Sequence, residues 1–217
     1  MSTLRRKFNA GLFAATLAAA IALFAHRPAG AQQADAAELA RPVPLGDIVL
    51  GSPNAPVTII EYASLSCGHC AAFHTGIYPT IKAEYIDTGK LRFIFREYPL
   101  DLQAAAASMV ARCIGKDDPQ TYHDAAGKLF ATQDQWVQRD TAAQLRRIAN
   151  ESGLDETAFN VCLSNQAMVD GLKLGMEHAH TKLKVDSTPT FFVNGTQLKG
   201  AWSIDEFRKL IEAKLKS

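Results

Sequence analysis

The feature that most constrains this chain is the junction between a strand pattern and a cysteine pair at residues 57–70. Val57-Thr58-Ile59-Ile60-Glu61-Tyr62-Ala63 is rich in β-branched and aromatic residues and follows the turn-forming run Gly51-Ser52-Pro53-Asn54-Ala55-Pro56, which predicts a buried strand. Cys67-Gly68-His69-Cys70 comes next. From Cys70 onward Phe73, Ile77, Ile81 and Tyr85 recur at four-residue spacing, the period of a helix face, with Pro79 expected to kink it. Residues 91–98 (LRFIFREY) read as a second strand. Strand, helix, strand is a βαβ unit, whose strands pair in parallel.

Between residues 102 and 182 no strand-like run occurs, and the punctuation is helical. Asp118 stands before Pro119, Asp140 before Thr141, Gly153 after Glu151, and Asp155 before Glu156. The strand pattern returns at Thr190-Phe191-Phe192-Val193. Asn194-Gly195 and Gln197-Leu198-Lys199 complete a hairpin with the dipeptide that type I′ turns prefer. Ser203 and Glu206 form the sequence of a capping box for a last helix. The order predicts an α/β core of residues 45–101 and 183–217 interrupted by an all-helical insertion, residues 102–182. Residues 32–44, ending in Pro42 and Pro44, read as a flexible leader.

The N-terminus reads differently. Arg5, Arg6 and Lys7 precede an alanine-rich apolar run at residues 10–25, then Ala29-Gly30-Ala31, the anatomy of a cleaved secretory signal over residues 1–31. At 16 residues the apolar run is short of the roughly 20 that a membrane span needs, which weakens the alternative of an uncleaved anchor. The Arg5-Arg6 pair resembles a twin-arginine export signal, although Leu4 stands where a hydroxyl residue is preferred. Four of the 23 basic residues and none of the 22 acidic ones lie before position 32, so residues 32–217 carry a formal charge of −3. With no basic run, nucleic acid is not an expected partner.

Export places the four cysteines in an oxidising compartment. Cys67 begins a helix, where unpaired N–H groups and a partial positive charge favour thiolate over thiol. It is the expected nucleophile, with His69 adding to the stabilisation and Cys70 able to reach back and attack a mixed disulfide. A zinc site would need a second ligand pair, but Cys113 and Cys162 lie 43 and 92 residues beyond Cys70 with no cysteine or histidine at ligand spacing. Covalent haem attachment would need a histidine where Ala71 stands. No metal or cofactor is expected. Cys113 and Cys162 are expected to bridge the helical block. His74, His123, His178 and His180 show no carboxylate or cysteine partner at a telling spacing and read as surface or packing residues.

In motif content and motif order the chain resembles the DsbA-type thiol:disulfide oxidoreductases, exported members of the thioredoxin superfamily with a helical domain inserted in a thioredoxin fold. The match runs from about Asp47 to Leu215 through VTIIEYASLS, CGHC, the helical block and Ser187-Thr188-Pro189-Thr190-Phe191-Phe192-Val193-Asn194-Gly195. The resemblance implies that Pro189 follows a cis peptide bond beside the active-site cysteines and that Thr188 contacts the substrate backbone. A plain trans proline opening the strand is the alternative. It also implies that Glu61, six residues before Cys67, is a buried carboxylate that relays the proton of Cys70; otherwise Glu61 is the exposed residue of an edge strand. Gly68 and Thr188 depart from the best-known oxidases and resemble isomerases. The expectation is a monomeric periplasmic oxidase that acts on reduced exported proteins and is reoxidised by a quinone-linked membrane protein of the DsbB type. An isomerase or reductase kept reduced by a membrane donor is the nearest rival, and a non-enzymatic module binding a soft metal ion is a rival of another class.

Overall fold

The computed structural model describes residues 32–138 and 140–216, so the expected signal segment, residues 1–31, lies outside the described residues. In chain order the elements begin with β1 (Gln32–Gln33), α1 (Ala36–Ala40), β2 (Ile48–Leu50) and β3 (Val57–Ala63). A helical run follows as α2 (Gly68–Ala72), a π-helical turn (Phe73–Ile77), α3 (Tyr78–Ile81) and a second π-helical turn (Lys82–Ile86). After β4 (Leu91–Glu97) come α4 (Leu102–Gly115), α5 (Pro119–Ala131), α6 (Gln133–Trp136), α7 (Thr141–Glu151), α8 (Glu156–Leu163) and α9 (Gln166–Leu183). The chain closes with β5 (Thr190–Val193), β6 (Thr196–Lys199) and α10 (Ile204–Leu215).

The strands form one mixed sheet in the order β1-β6-β5-β3-β4-β2. β3 pairs in parallel with β4 and antiparallel with β5, which puts Glu61 opposite Phe95 on one side and Phe191 on the other. Because side chains alternate across a strand, β3 serves two cores. Val57, Ile59 and Ala63 join the larger one with Phe73, Ile81, Phe93, Phe130 and Phe191, whereas Ile60 and Tyr62 face Ile94, Phe192, Ala179 and Leu183 of α9, and Leu39. Glu61 shares the parity of Ile59 and Ala63 and so points into the larger core, toward α2.

The caps act as the sequence predicts. Asp118, Asp140 and Asp155 each accept main-chain N–H groups at a helix start, Ser203 and Glu206 form a reciprocal capping box, and Asp101, which the sequence pattern did not single out, caps α4 in the same way. Asn194 and Gly195 both have positive φ, 43° and 85°, as a type I′ hairpin requires. A disulfide joins Cys113 of α4 to Cys162 of α8.

Two expectations are corrected, and one strand is added. Residues 32–44 do not form a flexible leader: β1 pairs with β6, Asp35 caps α1, and Leu39 is buried. The cause is Arg96, which lies buried beneath this segment. Its guanidinium needs acceptors, and it takes the carbonyls of Leu39 and Arg41 and both carboxylate oxygens of Asp47 at 2.8 and 2.9 Å. Second, the helix after the cysteine pair widens into π turns on both sides of Pro79. Proline lacks the N–H and clashes with the carbonyl four residues back, and the wider turn lets Tyr78 N–H bond to Phe73 O instead. The extra residue moves the buried position from Ile77 to Tyr78, so the core-facing set is Phe73, Tyr78, Ile81 and Tyr85. The added strand is β2, to which the sequence pattern assigned no element and which pairs antiparallel with the outer edge of β4.

Candidate active site

Cys67 is the residue that caps α2. Its sulfur accepts the main-chain N–H of Cys70 at 3.4 Å, and its S–H donates to the carbonyl of Thr188 at 3.4 Å. Thr188 belongs to the loop that leads into β5, where the Thr188–Pro189 peptide bond is cis. The antiparallel pairing of β3 with β5 sets this loop beside the end of β3 where the cysteines emerge. The intervening turn is tied down on its other side: Ser66 Oγ donates to Asp101 Oδ2 at 2.7 Å, Leu100 N–H to Ser64 Oγ at 3.2 Å, and Gln133 Nε2 to Leu65 O at 2.7 Å.

The two thiols are unequal. Cys67 is partly exposed and Cys70 fully buried, and both are free. The pKa of Cys67 is held down at about 5, chiefly because the Cys70 S–H donates to its sulfur; burial works against this, and Thr188 and the main-chain N–H groups of Cys70 and His69 add to it. The Thr188 hydroxyl is buried without a partner of its own in the dithiol state, which leaves it available to a thiolate at Cys67. For Cys70 every large influence runs the other way. Burial pushes its thiol far above the ordinary range, with the hydrogen bond to Cys67 and the charges of Glu61 and Cys67 adding to the effect.

His69 enters through its backbone. Its imidazole is exposed and makes no hydrogen bond among the described residues, while its main-chain N–H is one of the groups that lower the Cys67 pKa. Glu61 is fully buried in an interior strand, so it is not the exposed residue of an edge strand. Its Oε2 is 2.8 Å from Nε2 of His74, and its Oε1 has no partner.

His74 is the residue the sequence reading passed over. It is buried, stacks on Phe130 with ring centroids 4.3 Å apart, and meets Tyr78 at 5.0 Å. Its place four residues after Cys70, on the same helix face, is the signal that points to it. His178 also has a carboxylate partner, Glu38 of α1 at 2.7 Å, and His123 is buried with Nδ1 at 3.4 Å from Tyr78 Oη. Both contacts join segments far apart in sequence, which spacing along one element does not reveal. Among the described residues no cluster of three or more His, Cys, Asp or Glu suited to a metal ion is present.

A thioredoxin family model matches residues 45–213. Alpha-DsbA1 of Wolbachia pipientis superposes with a TM-score of 0.77 at 34% identity, covering 82% of this chain and 95% of that structure. A Rickettsia typhi protein whose assigned name is protein-disulfide oxidoreductase is 31% identical over 170 residues, 78% of this chain, and the chain spans 62% of that relative's length. Disulfide bond formation protein D of Bacillus subtilis is 28% identical over 194 residues, covering 85% of this chain and 84% of that protein. With the unequal cysteine pair, the cis proline and the helices inserted between β4 and β5 in place, the chain belongs to the DsbA-type thiol:disulfide oxidoreductases of the thioredoxin superfamily.

Proposed function

We propose that this protein is a dithiol oxidase that introduces disulfide bonds into reduced proteins after export. The observation that carries the reading is the asymmetry of the pair: Cys67 is accessible and acidic, with a pKa of about 5, while Cys70 is buried and held as a thiol. In the oxidised enzyme a substrate thiolate attacks Cys67 Sγ, the Cys67–Cys70 bond breaks, and Cys70 leaves and takes up a proton. A second substrate thiolate then attacks the substrate sulfur of the mixed disulfide. Cys67 departs as a stabilised thiolate, and the two electrons lost by the substrate's thiols remain on the enzyme's reduced cysteine pair. Whatever stabilises that thiolate makes the disulfide form a stronger oxidant, by about 30 mV for each tenfold change in the exchange constant.

Thr188 and Pro189 are the proposed substrate contacts. Proline offers no N–H on the side that faces the substrate, and the Thr188 carbonyl is already turned toward Cys67. Glu61 is the proposed proton relay for Cys70. The chemistry needs no metal or cofactor beyond the cysteine pair. The signal-like residues 1–31 support a periplasmic location, and no helix among the described residues is long and apolar enough to cross a membrane. A quinone-linked membrane protein of the DsbB type is the proposed reoxidant. The packing of residues 32–44 onto the body, with Leu39 buried, supports a monomer, since that segment does not project as a dimerising stalk.

Gly68 and Thr188 favour a second reading, a disulfide isomerase. Recovery of activity by a multi-disulfide test protein, started in parallel from its reduced and its scrambled forms, separates the two. Rapid recovery from the reduced form alone is the expected result, with Cys67→Ser inactive. Recovery from the scrambled form, dependent on a little reductant, would assign the isomerase. No gain over Cys67→Ser in either arm would remove both and bring forward soft-metal binding.

A further inference from the structure

A buried carboxylate that exchanges a proton with Cys70 faces a charge problem. Each time it gives up its proton, an anion is left in the larger core, where an uncompensated charge is costly. Glu61 does not face this alone. His74 Nε2 lies 2.8 Å from its Oε2, both side chains are almost fully buried, and Glu61 Oε1 is left without a partner. Glu61 also acts on Cys70 through its charge.

We propose that His74 is the positioning residue of the Cys70 proton transfer, working with Glu61 as a single proton-holding pair. This rests on the exchange reading above and extends it. When Cys70 attacks a mixed disulfide on Cys67, its S–H proton passes to Glu61 Oε1. The Cys70 thiolate bonds to Cys67 Sγ, and the partner thiolate leaves with the electron pair of the broken S–S bond. The pair starts as a carboxylate that accepts the Nε2–H of a neutral imidazole and ends, one proton richer and uncharged, with the new proton on Glu61 Oε1 and His74 still donating to Oε2. In the opposite direction the pair returns that proton to the Cys70 thiolate as the Cys67–Cys70 bond opens.

The surroundings hold the imidazole to this task. Phe130 of α5 stacks on one face with planes 14° apart, Phe95 of β4 meets its edge at 5.6 Å, and Phe73 lies next to it in the π turn. The titratable groups facing it are Glu61 from β3, Cys70 and Tyr78 from its own helical run, and His123 from α5. Tyr78 is pushed upward by burial and by the charges of Glu61, Asp87 and Asp124, and so stays a phenol. Burial holds His123 down at about 3, with the charges of His74 and Lys82 acting the same way, so His123 stays neutral.

The test follows the release of glutathione from a Cys67–glutathione mixed disulfide as Cys70 displaces it, across pH 5 to 9. The variants are Glu61→Gln, His74→Leu and their double variant, with His74→Gln as the rescue. Leucine at 74 removes the donor to Glu61 Oε2, and glutamine keeps one. Glu61→Gln is expected to slow release about a hundredfold near neutral pH. His74→Leu should slow it by the same order, His74→Gln should recover most of the wild-type rate, and the double variant should be no slower than Glu61→Gln. In each slowed variant the rate should climb steadily with pH as solvent takes over the deprotonation, while the Cys67 titration near 5 stays in place. A His74→Leu profile that overlays the wild type while Glu61→Gln slows, or a His74→Gln profile as slow as His74→Leu, would overturn the role of His74 and leave that of Glu61. Wild-type rates in Glu61→Gln would overturn the relay as a whole. Failure of the wild-type protein to form the glutathione adduct would overturn the exchange reading beneath both.

Discussion

The chain carries two cysteine pairs whose surroundings differ in almost every physical respect. Cys67 and Cys70 lie three residues apart at a helix start, next to a loop carbonyl and a hydroxyl, with one sulfur partly exposed. Cys113 and Cys162 lie 49 residues apart on two helices and are joined, with Cys162 buried beside Met109 and Leu172. The first environment lowers the pKa of one thiol and raises that of its partner. In the second no main-chain N–H donates to either sulfur among the described residues, and Cys162 is buried while Cys113, like Cys67, is partly exposed. Cysteine reactivity in this molecule is therefore assigned by position in the fold.

The comparison can be broken most decisively at Cys67. Cys67→Ser should abolish disulfide exchange with glutathione, and Cys70→Ser should stall the enzyme as a mixed disulfide that mass spectrometry detects. Removing the other pair should have the opposite profile. Cys113→Ser with Cys162→Ser should lower unfolding stability by about 4 kcal/mol on the chain-entropy model for a closed loop of this length. Exchange activity below the unfolding transition should remain. If that double variant lost exchange with its stability intact, the division of labour between the pairs would be wrong.

A pH series sharpens the contrast without touching the second pair. With the active site reduced and Cys113–Cys162 intact, the folded pKa of Cys67 is about 5, against about 8.5 for a free thiol. A folded pKa below the unfolded one contributes stability that is fully present above the unfolded value and is lost as pH falls through the folded one. The stability advantage of the reduced protein over Cys67→Ser should therefore grow from pH 5 toward pH 9 in denaturant titrations. Parallel curves would refute the depressed pKa. The smallest effect concerns its source: the Cys70 S–H is the largest lowering influence, so Cys70→Ala should raise the Cys67 titration above about 5, with Cys70→Ser falling between.

Much of this was legible because the signals were local. The aspartates that cap the helices and the Asn194-Gly195 turn depend on neighbours a few residues away, whereas the burial of Glu61 was legible only through the family resemblance. What escaped depended on distant partners. Residues 32–44 look unstructured until Arg96, more than fifty residues on, claims their carbonyls. His74 looks like packing until Glu61 is known to lie across from it, and the π turns around Pro79 change which residues face inward by one position. His69 shows the reverse: its side chain invites a role, and the structure supports one only for its backbone.

The central claim, that position makes one cysteine acidic and holds its neighbour as a thiol, is tested most directly by titrating thiolate absorbance in the fully folded protein with its active site reduced, using Cys67→Ser as reference. The account predicts one thiolate forming with a midpoint near 5, absent from the reference, and no second thiolate from Cys70 up to the alkaline limit of the fold. A midpoint near 8.5, or two thiols titrating together, would contradict it.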